Sequence, residues 1–151
     1  MNRKKEEILS HCAQSLNQVH SLENLTEEQW RTPIAEGKWT IAEVVGHLIP
    51  WDKYFIGRIP KIINEEDELP YFAIEEVNGE ASVHSKNSSK EKIIHEFLDV
   101  RKLLIAQISD LDDKLWEREF HVGDETFSLY EDLSRLVKHD EDHFAQIDRV
   151  L

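Results

Sequence analysis

Two histidines, His139 and His143, stand four residues apart in HDEDHFAQI (139–147), where an acidic run gives way to an apolar pattern. On a helix, residues i and i+4 lie one turn apart on one face, the spacing at which two imidazoles can share a cation. Such a pair serves equally well as two solvated histidines on an acidic helix, so a third ligand on another element has to be found. His47, in GHLIPWDKYF (46–55), is the candidate. Pro50 follows three residues later; it removes a backbone hydrogen bond and crowds the carbonyl of Gly46. A break with local rules beside a border-facing histidine is often found at a functional site. The plainer alternative is a histidine bonded to a carbonyl, next to a kink that only suits the packing. Three neutral imidazoles with one position left open are the ligand set of a catalytic metal rather than a structural one. They suit zinc, nickel, iron(II) or cobalt alike.

Four amphipathic segments must position these groups. The first runs over Arg3–Ser21, with Ile8, Cys12, Leu16 and Val19 at helical spacing. The second opens at Thr40, which forms a T-x-x-E capping box with Glu43. It carries Ile41, Val44, Val45, Leu48, Phe55, Ile59, Ile62 and Ile63 on one broad face. The third opens at Ser88 with Glu91 three residues on, and its stripe is Ile93, Phe97, Val100, Leu104, Ile108 and Leu111. The fourth opens at Ser128 with Glu131, and its stripe includes Leu129, Leu133, Leu136, Phe144 and Ile147. At 100° per residue, His143 falls about 40° from Leu129 and His139 about 80° to the same side. Asp140 points almost into the middle of the stripe, where an ionised carboxylate is costly unless paired or coordinated.

The connections differ in length. Residues 22–39 hold a short helical turn at TEEQW, and residues 112–127 a short helix at Asp113–Trp116 and a hairpin around Gly123-Asp124. Residues 66–87 form a long polar connection, which either crosses the bundle or covers something. The pattern predicts an all-α protein: a four-helix bundle with a long connection between its second and third helices, forming a single domain over 1–151.

The formal net charge of -13 argues against binding nucleic acid or an anionic membrane through a basic face. No apolar run reaches the length of a membrane span. The stretch MNRKKEEILSHC lacks the apolar core and cleavage site of a signal peptide, and the single Cys12 cannot form an internal disulfide. A cytoplasmic location is the expectation. Cys12 lies on an apolar stripe and reads as core. Trp51, one turn after His47, and Tyr54 read as walls of a substrate pocket, and Trp39 as a staple residue against Val44. His11, His20, His84 and His95 read as surface or satisfied residues, and His121 as one near the mouth of a site. Ile94, Leu98 and Ile105 widen the apolar face of the third helix enough to suggest a dimer contact.

GKWTIAEVVGHLIPWDKYFIGRI (37–59) resembles the second-helix signature of the DinB/YfiT-like superfamily, in Trp39, the Thr40 cap, an acid, and His47 followed by Leu. HDEDHFAQI resembles that family's last-helix signature, two ligands at i, i+4 followed by Gln146 and an apolar residue. The resemblance extends over nearly the whole chain in helix order and loop lengths. It implies a four-helix bundle in which His47, His139 and His143 bind a divalent metal, zinc or nickel foremost, and often a homodimer. In some relatives the first of the last-helix pair is a glutamate; His139 here makes the ligand set neutral and leaves net positive charge on the metal. The resemblance further implies an enzyme of the S-transferase type acting on a small-molecule substrate. Its low-molecular-weight thiol cosubstrate would be glutathione, mycothiol or bacillithiol, held at the metal as thiolate. Asp140 would orient an imidazole through its other ring N–H. Two alternatives use the same ligands. One is a metal-dependent hydrolase that activates a water, with Asp140 or Glu43 as base. The other is a non-catalytic metal-binding or dimerising helical module.

Overall fold

The protein is described here by a computed structural model covering residues 2–151. Helix α1 (Arg3–Ser21) starts at Asn2, whose side chain accepts from Lys5 N at 3.1 Å. A 3-10 turn and the one-turn helix α2 (Glu27–Trp30) follow, the latter closed by a Thr26–Gln29 capping box. Helix α3 (Ile41–Ile63) opens on the predicted Thr40–Glu43 capping box and continues through both Pro50 and Pro60. Helix α5 (Lys90–Asp110) is capped by Ser89, which accepts from Lys92 N at 3.1 Å, one residue later than the expected Ser88–Glu91 pair. Helix α6 (Leu129–Asp148) is capped by Ser128 as predicted. Before it, strands β1 (Glu119–Val122) and β2 (Glu125–Ser128) pair antiparallel, Val122 facing Glu125. Gly123 in the tight turn has φ +58°, a conformation that favours glycine.

The connection 66–87 is not simply a polar loop. It contains helix α4 (Ile74–Lys86), which packs on the outside of α3. Its sequence hides it, because only Ala81 and Ser85 are buried and there is no apolar stripe to detect. Gly46 is what lets it dock: a Cβ there would lie 1.8 Å from Ser85 Oγ. A second correction concerns the wide face of α5. Ile94 and Leu98 are buried inside this chain, so they offer no surface for a dimer.

Helices α1, α3, α5 and α6 form the bundle. α5 lies between α1 and α3, and α6 closes the ring on the other side with its sparser packing against α3. The apolar core falls into two clusters. One gathers Val19, Leu48, Phe97 and Phe144 among others; the second gathers Cys12, Phe55, Leu104 and Leu136. Between the two, at one level through all four helices, lie Ser15, Asp52, Arg101 and Asp140, each fully buried. Arg101 Nε and Nη2 donate to Asp52 at 2.6 and 2.8 Å. Its Nη1 and Nη2 donate to Asp140 at 2.7 and 3.1 Å, and Nη1 also reaches Ser15 Oγ at 2.8 Å. One guanidinium thus ties α5 to α1, α3 and α6, with its donors in the fork geometry that matches carboxylates. Among the described residues, no helix is long and apolar enough to cross a membrane.

Candidate metal centre

The site forms where the second turn of α3 meets the C-terminal half of α6. Two ion-paired layers set the register of these antiparallel helices. One is the Asp52–Arg101–Asp140 layer. The other is nearer the opposite end, where Arg58 on α3 grips Asp132 on α6 through three hydrogen bonds of 2.8 to 3.0 Å. With that register fixed, His47 from α3 faces His139 and His143 from α6. The ring centroids stand 5.1 Å apart for His47–His139, 4.5 Å for His47–His143 and 4.6 Å for His139–His143. One ring nitrogen from each can be chosen so that all lie within 4.8 Å of one another.

The tautomers follow from the partners. His47 Nδ1 lies 2.5 Å from the Val44 carbonyl, which only accepts, so Nδ1 carries the proton and Nε2 presents its lone pair. His143 Nδ1 faces Gln146 Oε1 at 2.7 Å, and donation to that acceptor frees Nε2 in the same way. His47 Nε2 and His139 Nε2 lie 3.4 Å apart. Two nitrogens 2.0–2.1 Å from a tetrahedral zinc would be separated by about 3.3 Å. The donor set therefore fits a divalent cation of that size.

The surroundings keep two of these rings, His47 and His139, neutral. Burial, and then the neighbouring His143, push His47 down to about 3 against the hydrogen bond to Val44. Burial and His143 likewise push His139 down to about 4. A metal competes with no proton for either lone pair at neutral pH. His47 is buried, while His139 and His143 are partly open to solvent. The Trp39 ring lies 4.9 Å from His47, and Trp51 lies 4.5 Å from His139 at an interplanar angle of 30°.

Asp140, expected to orient one of these imidazoles, has other partners. It receives Arg101 and, at 2.8 Å, His11 Nε2 on α1. Although burial opposes ionisation, Arg101 beside it holds the Asp140 carboxyl below the usual range. Glu43, considered as a base, is likewise engaged. Burial would raise it, but hydrogen bonds from Ser82 and Thr40 outweigh this and lower it. Trp51 and Tyr54 both line a cleft of about 730 Å³ beside the centre. Cys12 is buried as expected, and burial pushes its thiol up to about 12. His121 is exposed on β1, 3.3 Å from Thr126 Oγ1. Sequence reasoning did not single out Arg101, Asp52, or the pairing of Gln146 with His143. A signal existed for the first two: 48-52-55-59 and 97-101-104-108 place both at apolar-stripe positions.

The chain matches the DinB superfamily over residues 9–147. A search of curated proteins finds no match. Among solved structures it is similar to YfiT from Bacillus subtilis, a probable metal-dependent hydrolase with an unusual four-helix bundle topology. That similarity has a TM-score of 0.77 at 21% identity, over 99% of this chain and 87% of that one. It is also similar to a mycothiol-dependent maleylpyruvate isomerase, with a TM-score of 0.72 at 14% identity, over 95% of this chain and 60% of that one. A third similarity is to the colibactin self-resistance protein ClbS, solved in complex with a double-stranded DNA. There the TM-score is 0.73 at 12% identity, over 97% of this chain and 94% of that one. Identities this low speak to the fold alone. A bundle of this shape does bind DNA in ClbS, so the fold lends no support to the expectation that nucleic acid is excluded.

Proposed function

This chain belongs to the DinB superfamily, and from that premise we propose that it is a metal-dependent enzyme that activates a low-molecular-weight thiol for transfer to a small electrophile. The observation that carries the reading is the convergence of three imidazoles on one point, which Trp51 joins to a cleft. His47, His139 and His143 would hold the ion, with zinc or nickel the best fit to three neutral nitrogens and iron or cobalt next. The ion supplies a positive charge that stabilises an anionic sulfur or oxygen at neutral pH. Val44 and Gln146 hold His47 and His143 in the ligating tautomer. Trp51 shields the open side of His139 and forms the wall shared with the cleft. A cytoplasmic location belongs to the same proposal, since small thiols are kept reduced there.

The alternative is metal-dependent hydrolysis, which the likeness to YfiT favours. Asp140 and Glu43, the acids considered as its base, are both engaged elsewhere. The ion would ionise a bound water as it would a bound thiol, so thiol dependence is what separates the two readings. Elemental analysis of the purified protein tests the metal: about one equivalent of a divalent ion is expected, and loss of it in His143→Ala. Wild-type protein that takes up neither zinc nor nickel refutes the proposal. Ester turnover by the loaded protein without added thiol would decide for the hydrolase.

A further inference from the structure

The charge on the cleft next to the metal centre departs from the rest of the molecule. The chain has 31 acidic and 18 basic residues. The cleft is lined by three cations, Arg58, Lys61 and Arg135, and one acid, Glu68. Arg58 is held by Asp132 and is mostly covered. Arg135 and Lys61 are the available charges. Their side chains are 65% and 48% exposed, and their nearest acids lie at long range, Asp132 at 3.6 Å from Arg135 and Glu66 at 3.8 Å from Lys61. Exposed pairs of that length hold a side chain weakly and release it readily to a ligand.

Between this cationic end and the histidines runs an aromatic wall. Trp51 lies against His139 on one side and, at 4.9 Å, against Phe72 on the other. Tyr54 meets Phe72 at 4.4 Å, and Arg58 Nη1 donates to the Tyr54 hydroxyl at 2.9 Å. On α3 the positions 47, 51, 54, 58 and 61 follow one helical face. On α6, Arg135 and His139 are one turn apart, about 6 Å along the axis. Tyr71 and Ile74 on the rim leave apolar surface open, at 91% and 50% exposure.

We propose that this cleft takes an elongated organic anion, with a carboxylate or phosphate at Arg135 and Lys61, an aromatic or apolar body along Trp51, Phe72 and Tyr54, and its reacting end past Trp51 toward the histidines. The inference rests on the proposed function for which end reacts, but the anion site stands on the cleft alone. The anion is carried either by the thiol or by its electrophilic partner, and the chemistry read by the cleft is the same.

The test compares 4-(naphthalen-2-yl)butanoate with its neutral amide, by calorimetric titration of metal-free and zinc-loaded protein. The Trp51 indole N–H signal in NMR reports where each binds. The acid is expected to bind about tenfold tighter than the amide and to shift the indole signal. Lys61→Gln with Arg135→Gln should remove most of that preference; both residues are exposed, and circular dichroism checks the fold. His143→Ala should retain the preference in metal-free protein, so that failure of the metal reading and failure of this one are separable. Equal binding of acid and amide, a preference that survives the double variant, or no effect on Trp51 would each overturn the proposal. Loaded protein then assigns the source: an anionic thiol and an anionic electrophile are each assayed against neutral counterparts, and the one whose saturation depends on Arg135 carries the group.

Discussion

Arg101→Met removes the one cation between Asp52 and Asp140, both fully buried. Among the described residues, Arg101 supplies all of the side-chain hydrogen bonds to Asp52, whereas Asp140 retains His11. Asp52 is therefore the group left stranded. Its escape is to bind a proton, which at pH 7 means protonating a carboxyl whose ordinary value, 3.8, lies about three units below the ambient pH. At about 1.36 kcal/mol per unit this costs about 4 kcal/mol, in line with the roughly 3–5 kcal/mol lost when a buried pair is broken from one side. Against a total stability of about 5–15 kcal/mol, the loss is a large fraction. Urea unfolding followed by circular dichroism measures it. The pH dependence supplies the second check. Burial already raises Asp52 in the wild type against the pull of Arg101; without Arg101 it rises further, so the variant keeps its stability below about pH 4 and loses more of it than wild type as pH rises. The gap to wild type should accordingly shrink by several kcal/mol between pH 7 and pH 4. Asp52→Leu and Asp140→Leu added to Arg101→Met should recover much of the loss. A single variant within about 1 kcal/mol of wild type at pH 7, or a gap that ignores pH, would refute the view of this layer as a desolvated ion-pair clamp.

Three further perturbations test other parts of the molecule. Gly46→Ala should destabilise by about 1–3 kcal/mol, because the new Cβ meets Ser85 Oγ at 1.8 Å. Helix propensity alone predicts the opposite sign by about 1 kcal/mol, and Ser85→Gly should rescue the variant in a thermal melt. The metal-free protein should lose about 3 kcal/mol more than His47→Gln on going from pH 7 to pH 4, because the folded-state value of His47 is about 3 against 6.5 unfolded. Its contribution is complete above pH 6.5 and is lost as pH falls toward 3, and parallel denaturation curves for the two proteins would contradict this. Cys12 should resist a disulfide reagent in the native protein and react within seconds in denaturant, since it is buried and its thiol is pushed up to about 12; equal rates in both conditions would place it at the surface.

Local features were legible in the sequence. Thr40 with Glu43 and Ser128 mark the starts of α3 and α6, apolar spacing marks the bundle helices, and Gly123 marks the hairpin turn. It also marked the three histidines, because i, i+4 spacing on α6 and a stripe-border position on α3 are properties of single helices. Features held by long-range contacts escaped it. Helix α4 has little apolar face of its own and is held by a neighbour that leaves room at Gly46. Asp140 could be recognised as a charge at a core position, and so could Asp52 and Arg101, but periodicity does not say which charge meets which. Only the docking of α5 against α1, α3 and α6 brings one guanidinium between the two carboxylates. That pairing turns Asp140 away from the histidines and toward Arg101 and His11. The cleft depends on the same cause: Trp51, Phe72 and Arg135 come from three separate segments. The register of α3 and α6 brings Trp51 and Arg135 together, and Phe72 joins them from the connection before α4; no local pattern encodes either.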